Sequence, residues 1–382
     1  MGENKNSVTR RDALKHGALA SGALITGGAV GTAGAKPGNE KGKDQTCDVV
    51  VPEDYATIQA AVDNAASGDT ICVLPGTYSE NVSVDAGVTL RGRTAPNSGR
   101  PAVIDGWVSL DADGSELRRT VVTREEGFTT PGSFTPDPFG VRVTASETAV
   151  TNNVIHRLTD VPENMDADES VTKWGTINGI QIFGSDQLSN VRIRNNEVRD
   201  TNKEVVGGVA GIKLQADLSG VEITGNSVTD LHSSGWVWGV VLAGSESAND
   251  HPKNVLVQDN TMDRLNDGSV YEVTEGRDGT PYPGSAFGID GGAEADEATV
   301  KYNNLLAPNG AENKDEDNTL VAECNWWGAS SGPYDGEDNP DGDGTWALER
   351  GAATIDFTPW LNAPAPSRSC VGGIDRGNGH GQ

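Results

Sequence analysis

The stretch Gly211-Ile212-Lys213-Leu214, followed after a short gap by Val221-Glu222-Ile223-Thr224-Gly225-Asn226-Ser227-Val228, decides the fold. It holds a glycine, an alternating run, a gap, a second alternating run and an asparagine. Counted from Asn226, apolar residues stand five and three positions before it and two after. The same register fits Asn196 (Val191, Ile193, Val198), Asn260 (Val255, Val257, Met262) and Asn303 (Ala298, Val300, Leu305). It also fits Asn153 (Val150, Ile155), with Thr148 at the first place. Period-2 alternation reads as strands, and its recurrence through 140–303 reads as a repeat array. Successive asparagines lie 43, 30, 34 and 43 residues apart, whereas one solenoid coil needs about 20 to 30. The surplus must loop out, at 159–174, 243–253 and 267–285, and loops on a rigid stack are where binding residues concentrate. Equivalent asparagines at equivalent bends predict an internal ladder of amides that satisfies buried backbone groups.

Bulk composition agrees. The chain has 382 residues, 49 of them glycine and few aromatic, which suits many short strands joined by turns. Its 56 acidic residues against 29 basic ones give a net charge of −27. Such a surface lacks the clustered cations that nucleic acid or anionic lipid requires, so nucleic acid is excluded as an expected partner. Only 11 of the basic residues are lysine, and an acid-rich, lysine-poor surface resembles those of proteins from salt-loving archaea. At molar salt, screening over ~3 Å would mute its self-repulsion.

Residues 1–35 read as an address. Thr9-Arg10-Arg11-Asp12-Ala13-Leu14-Lys15 precedes a Gly/Ala-rich run ending in Ala33-Gly34-Ala35, the order of a secretory signal, and the paired arginines resemble a twin-arginine signal. Glycines dilute the apolar run too far for a stable membrane span. The expected location is therefore secreted or cell-surface. Four cysteines suit an oxidising compartment and permit two disulfides. The preferred pairing is Cys47 with Cys72, between two apolar runs that would be neighbouring strands, and Cys324 with Cys370, tying down the tail.

A linker at 36–46 leads into the body at 47–361. An amphipathic helix is predicted over 54–66, capped by Asp54, with Ile58, Ala61, Val62 and Ala65 on one face. A helix followed at once by short strands suits a plug over the open end of a stack. Tyr55-Ala56-Thr57-Ile58-Gln59-Ala60-Ala61-Val62, Gly68-Asp69-Thr70-Ile71, Pro75-Gly76-Thr77-Tyr78-Ser79-Glu80 and Val88-Thr89-Leu90-Arg91-Gly92 together resemble the opening of pectin-lyase-like right-handed parallel β-helices, an opening shared by pectin methylesterases and NosD-like proteins. The resemblance implies an all-β, single-stranded right-handed parallel β-helix with an N-terminal capping helix. It does not imply an activity, because unrelated activities share this scaffold.

The glycine-led strands supply the candidate site. Val141-Arg142-Val143, Ile180-Gln181-Ile182, Ile212-Lys213-Leu214, Val240-Val241-Leu242 and Ile289-Asp290 align on their glycines, and alternation turns the middle residues outward. Arg142, Gln181, Lys213 and Asp290 then form one stripe, on the face where the enzymes of this fold hold polysaccharide. Arg142, Lys213 and Asp290 are the catalytic candidates and Gln181 a substrate contact. Trp236 and Trp238 alternate around Val237 and make a candidate sugar platform, with Trp174 closing the first long loop. A second stripe follows the asparagines, where His156-Arg157, Arg199-Asp200, Thr229-Asp230 and Asp263-Arg264 offer His156 and Arg199 as uronate contacts or, more plainly, ion pairs between rungs.

A closing segment spans 320–361. Asn325-Trp326-Trp327-Gly328 and Ile355-Asp356-Phe357-Thr358-Pro359-Trp360-Leu361 resemble the end of exported β-helix proteins, with Asn325 as the last rung and Trp326 or Trp327, Phe357 and Trp360 over the core. Between them Asn339, Asp341, Asp343 and Gly344 imitate half of a calcium loop, although Arg350 stands where a bidentate glutamate belongs. Calcium at Asp341 and Asp343 is the one cofactor the sequence suggests. Residues 362–382 read as a flexible tail, and the oligomeric state is left open, a monomer being compatible. The Gln-Asp-Thr, Asp-Phe-Ile-Phe and Gly-Arg-Pro-Trp phrases of pectin methylesterases are missing, which argues against an esterase. Two expectations stand: an exported lyase or hydrolase of acidic polysaccharide, or a non-catalytic platform that binds or supports at the cell surface.

Overall fold

The structure, a computed structural model, describes residues 47–372 apart from 97, 129–136, 161–174, 185–186, 204–206, 234, 245–250, 267–282 and 367–368. The export signal, the linker, Trp174 and most of the tail lie outside the described residues.

Three parallel sheets run the length of the body, and the chain visits them in rotation. Sheet I starts with Val49–Val51 and Thr70–Val73 and passes through Ala149–Thr151, Leu218–Thr224 and Ala298–Lys301 to Thr354–Asp356. Sheet II runs from Gly76–Tyr78 through Val154–Asp160, Glu197–Lys203 and Ser227–Ser233 to Asn304–Leu306. Sheet III runs from Val82–Val84 through Phe139–Val143, Thr176–Phe183, Gly208–Gln215, Trp236–Ala243, Ser285–Asp290 and Asn309–Asn313 to Trp346–Glu349. This is the right-handed parallel β-helix that the resemblance implies, and its coils are the repeat array read from the sequence. Inward residues of all three sheets, such as Val141, Ile180, Ile212, Ile193, Ile223, Val198 and Val228, join one continuous core.

The asparagines sit at the bend from sheet I into sheet II and form the expected ladder. Asn196 Oδ1 accepts from the backbone N–H and the side-chain amide of Asn153 at 3.0 and 3.1 Å. Asn226 does the same for Asn196, Asn260 for Asn226, Asn303 for Asn260 and Asn325 for Asn303. Each amide also donates to a carbonyl of the preceding coil, as Asn226 Nδ2 does to Ile193 at 2.9 Å. Thr120 extends the ladder toward the N-terminus, its Oγ1 donating to Asn153 Oδ1 at 2.9 Å. The residue before each ladder position holds a left-handed backbone, with φ of 57° at Asn152, 54° at Asn195, 67° at Gly225 and 59° at Asp259. That conformation turns the chain sharply enough to bury the next side chain.

Helix α1 (Ile58–Asn64) is shorter than the 54–66 expected, and Thr57 rather than Asp54 caps it, its Oγ1 accepting from Ala60 N at 3.2 Å. Asp54 is drawn back to Val50 N at 2.8 Å. The Glu80 carboxylate accepts from Ile58 N and Gln59 N at 2.8 and 3.0 Å, completing the cap. Ile58, Ala61 and Val62 cover the first coils.

Both expected disulfides are present, Cys47 with Cys72 and Cys324 with Cys370. Asn325 is the last ladder residue but not the last coil. Trp346–Glu349 and Thr354–Asp356 add one more strand to sheets III and I. Trp327, Phe357 and Trp360 close the core behind them, with ring centroids 6.3 and 6.2 Å apart in turn. Among the described residues no helix is long and apolar enough to cross a membrane.

Candidate functional site

Sheet III differs from its neighbours because the chain enters it tightly. A Cβ on Gly211 would lie 2.3 Å from Val228 Cγ1 of sheet II, and Gly140, Gly179 and Gly239 are similarly close to the next coil. Glycine is therefore required at these four places, and it leads the strands that carry the outward row there. The observed register makes that row Ser109, Arg142, Gln181, Lys213, Val241, Gly288 and Glu312.

Asp290 does not belong to it. It pairs with Ala243, two positions further along the strand. The cause is Gly288, which imitates a leading glycine, whereas Ala286 occupies the leading place: Gly239 abuts its carbonyl as Gly211 abuts that of Gly239. Asp290 instead accepts from Lys314 Nζ at 3.0 Å.

Arg142 and Gln181 meet on adjacent rungs. Arg142 Nε and Nη2 donate to Gln181 Oε1 at 3.0 and 2.9 Å, and Nη2 also donates to the Asp137 carbonyl at 3.1 Å. The guanidinium stands 3.8 Å over the Phe139 ring and 5.5 Å from that of Phe183. Arg142 is only 8% exposed, and burial pulls its pKa down to about 10 against the opposing pull of Asp111 and Asp137. Asp137 also binds Lys213 Nζ at 3.0 Å through its carboxylate. One aspartate thus organises both cations. Sequence reasoning missed it because it precedes the strand and has no place in the repeat.

The next outward row is Asn178, Ala210, Trp238, Ser285, Asn309 and Trp346. Ala210, Trp238 and Val241 make a small apolar cluster outside the main core, with Trp236 packed against it. The two indoles lie 6.1 Å apart at 50°. They need glycine beneath them: a Cβ on Gly208 would fall 1.9 Å from Trp236 Nε1, and one on Gly288 would fall 2.8 Å from Trp238 Cδ1. Trp238 is buried, and Trp236 keeps part of its surface open. Beyond them Glu312, buried at 5% exposure, accepts from Ser285 Oγ at 2.8 Å and pairs with Arg350 at 3.1 Å and Lys314 at 3.9 Å.

His156 and Arg199 are neighbours on the outward face of sheet II, away from this row. They line a shallow cavity of about 380 Å³ with Asp105 and Thr123. Arg199 is engaged by Glu197 and Asp200 of its own strand, and Arg264 by Asp230 and Asp263, so ion pairing accounts for much of this stripe. Arg157, Asp200, Asp230 and Arg264 all hold left-handed backbones, φ 50° to 55°, that bend each strand toward sheet III.

At the far end Asp343 faces Ser331 Oγ at 3.2 Å, the Asn339 amide donates to the Ser331 and Pro333 carbonyls, and the Glu349 carboxylate accepts from Ile355 N. These groups hold their own loop together. Among the described residues no three His, Cys, Asp or Glu side chains group as a metal site would require.

No family model matches this chain, and no curated protein does. Among solved structures, it is similar to the Escherichia coli protein YbhC, at 14% identity over 72% of this chain and 86% of that one, with a TM-score of 0.33. A rice weevil pectin methyl esterase matches at 12% identity over 62% and 82%, TM-score 0.32. A mannuronan C-5 epimerase module of Azotobacter vinelandii matches at 14% over 61% and 89%, TM-score 0.18.

Proposed function

We propose that this protein is an exported polysaccharide-binding β-helix whose ligand, an acidic polymer, lies on the outward face of sheet III. The carrying observation is the adjacency on one face of Arg142, Lys213 and the Trp236–Trp238 pair. The part-open Trp236 indole, packed close over Gly208 and backed by Trp238, can offer an aromatic surface to the apolar side of a sugar ring, and neighbouring cations suit the carboxylate of a uronate. Both cations are seated by fixed partners, Gln181 and Asp137, which favours recognition at low ordering cost. Export is supported by the two disulfides, which belong to oxidising compartments.

A catalytic variant of this reading keeps Arg142 and Lys213 as the groups nearest the ligand and drops Asp290, which the register removes from the row.

The test is calorimetric titration of the purified protein, in high salt, with a panel of uronate and neutral polysaccharides. Uronate binding that falls about tenfold in Trp236→Ala, and again in Lys213→Ala, is the expected result. Wild-type affinity retained by both variants would remove the face from consideration. New unsaturated-product absorbance or reducing ends in the same mixtures would favour the lyase or hydrolase variant over binding alone.

A further inference from the structure

The outward face of sheet III does not end at Trp238. Along its second row Trp238 pairs with Ser285, Ser285 with Asn309, and Asn309 with Trp346. Tyr334 then bridges Trp346 in parallel, one rung further on. The last two places in the row are therefore aromatic, with ring centroids 5.0 Å apart at 45°.

Trp346 is 53% exposed, while Trp238, Trp327 and Trp360 are at 7%, 0% and 5%. It is not needed to close the stack, since Trp327, Phe357 and Trp360 already do so. With Tyr334 beside it, Trp346 makes an exposed aromatic patch rather than a lone surface side chain, and such a patch marks a binding surface. Between the two aromatic sites the row is buried and polar: Asn309 Nδ2 donates to Ser285 Oγ at 3.2 Å, and Glu312 is held by Ser285 and Arg350. These buried, mutually bonded groups make a fixed floor that keeps the two aromatic sites in line on one face.

We infer that Trp346 and Tyr334 form a second sugar platform, and that the ligand is an extended polysaccharide chain lying along the stack and bridging this platform to Trp236 and Trp238. This inference rests on the reading of the face as a polysaccharide site. Three rungs separate Trp238 from Trp346, ~14 Å at the strand spacing. A sugar unit in an extended chain is about as long as one rung, so a chain of about four or five units reaches both platforms. Two contacts on one chain reinforce each other only when the chain is long enough to span them. The structure thereby assigns a length requirement: short oligomers use Trp236 alone, and longer ones gain the second platform.

The experiment is calorimetry on the full chain with galacturonate and mannuronate oligomers from dimer to octamer. Wild type should show a step in affinity, about tenfold, as the oligomer reaches the spanning length. Trp346→Ala should leave dimer affinity unchanged and abolish the step, and Trp346→Phe should restore most of it. A step that persists in Trp346→Ala, or an equal loss at every length, would overturn the second platform. If wild type binds no oligomer of any length, the reading of the face as a polysaccharide site itself fails, and this inference with it. Thermal midpoints of the variants, expected within a few degrees of wild type because Trp346 is exposed, separate lost contact from lost fold.

Discussion

Asn226 shows how much one side chain does in a stacked fold. Its oxygen serves two donors of Asn196, and its amide serves Asn260 and the Ile193 carbonyl. Asn226→Ala should destabilise the protein by about 3 kcal/mol or more, because it leaves several buried groups without partners. Asn226→Asp should cost a comparable amount, since a carboxylate cannot donate to Ile193. Denaturant unfolding in high salt checks both, and a loss below 1 kcal/mol would mean that water replaces the amide. The ladder was legible in the sequence because asparagine keeps a fixed distance from core positions on both sides. Asp290 was misread at the same scale: Gly288 has the same neighbours in sequence as a leading glycine, and only the packing of Gly239 against Ala286 distinguishes them. Asp137 left no trace in the repeat, since it precedes its strand; Glu312 stands two places after Gly310, as Arg142 does after Gly140, but Asn313 replaces the second apolar flank and hides the phrase.

At the scale of elements, strand order and face were readable from alternation, but the partners that finish each element were not. Helix α1 is an example, because its first turn is completed by Glu80 from a strand turn 22 residues away. Glu80→Ala should expose the α1 amides to early hydrogen exchange and lower stability by about 1 to 2 kcal/mol, with the ladder region keeping its protection. On sheet II, Arg264 grips Asp230 with two hydrogen bonds of 2.6 and 2.7 Å and holds its carboxyl below the usual range. A depressed carboxyl contributes stability that is present above the unfolded aspartate pKa and disappears as pH falls through the folded one. Arg264→Ala should therefore cost at most about 0.5 kcal/mol at neutral pH in dilute buffer, the pair being solvent-screened, and nothing in strong acid or molar salt. A larger effect that survives molar salt would show that the arginine acts through packing instead.

For the whole molecule, a net charge of −27 and a candidate anionic ligand set opposing requirements. The repulsion is long-range and screened, whereas contacts at Arg142 and Lys213 are close and partly buried. Affinity for a polyuronate should therefore rise between about 0.05 M and 1 M salt, as the Debye length shrinks toward ~3 Å, while a neutral oligosaccharide shows no such slope. A steady fall with salt, the pattern of counterion release, would contradict this. The solenoid itself was legible from 140–303 alone; what lay beyond the repeat, the extra coil and its exposed Trp346, was not, because no asparagine marks it. The disulfides carry one more consequence. In a linear stack every interior coil leans on two neighbours and each terminal coil on one, so opening should begin at the extremities. Cys47–Cys72 fastens the first pair of sheet I strands, and Cys324–Cys370 fastens the final asparagine turn to the tail. Cut either thread and the molecule should fray inward from that terminus, coil by coil, with proteases trimming it like a rope that has lost its whipping.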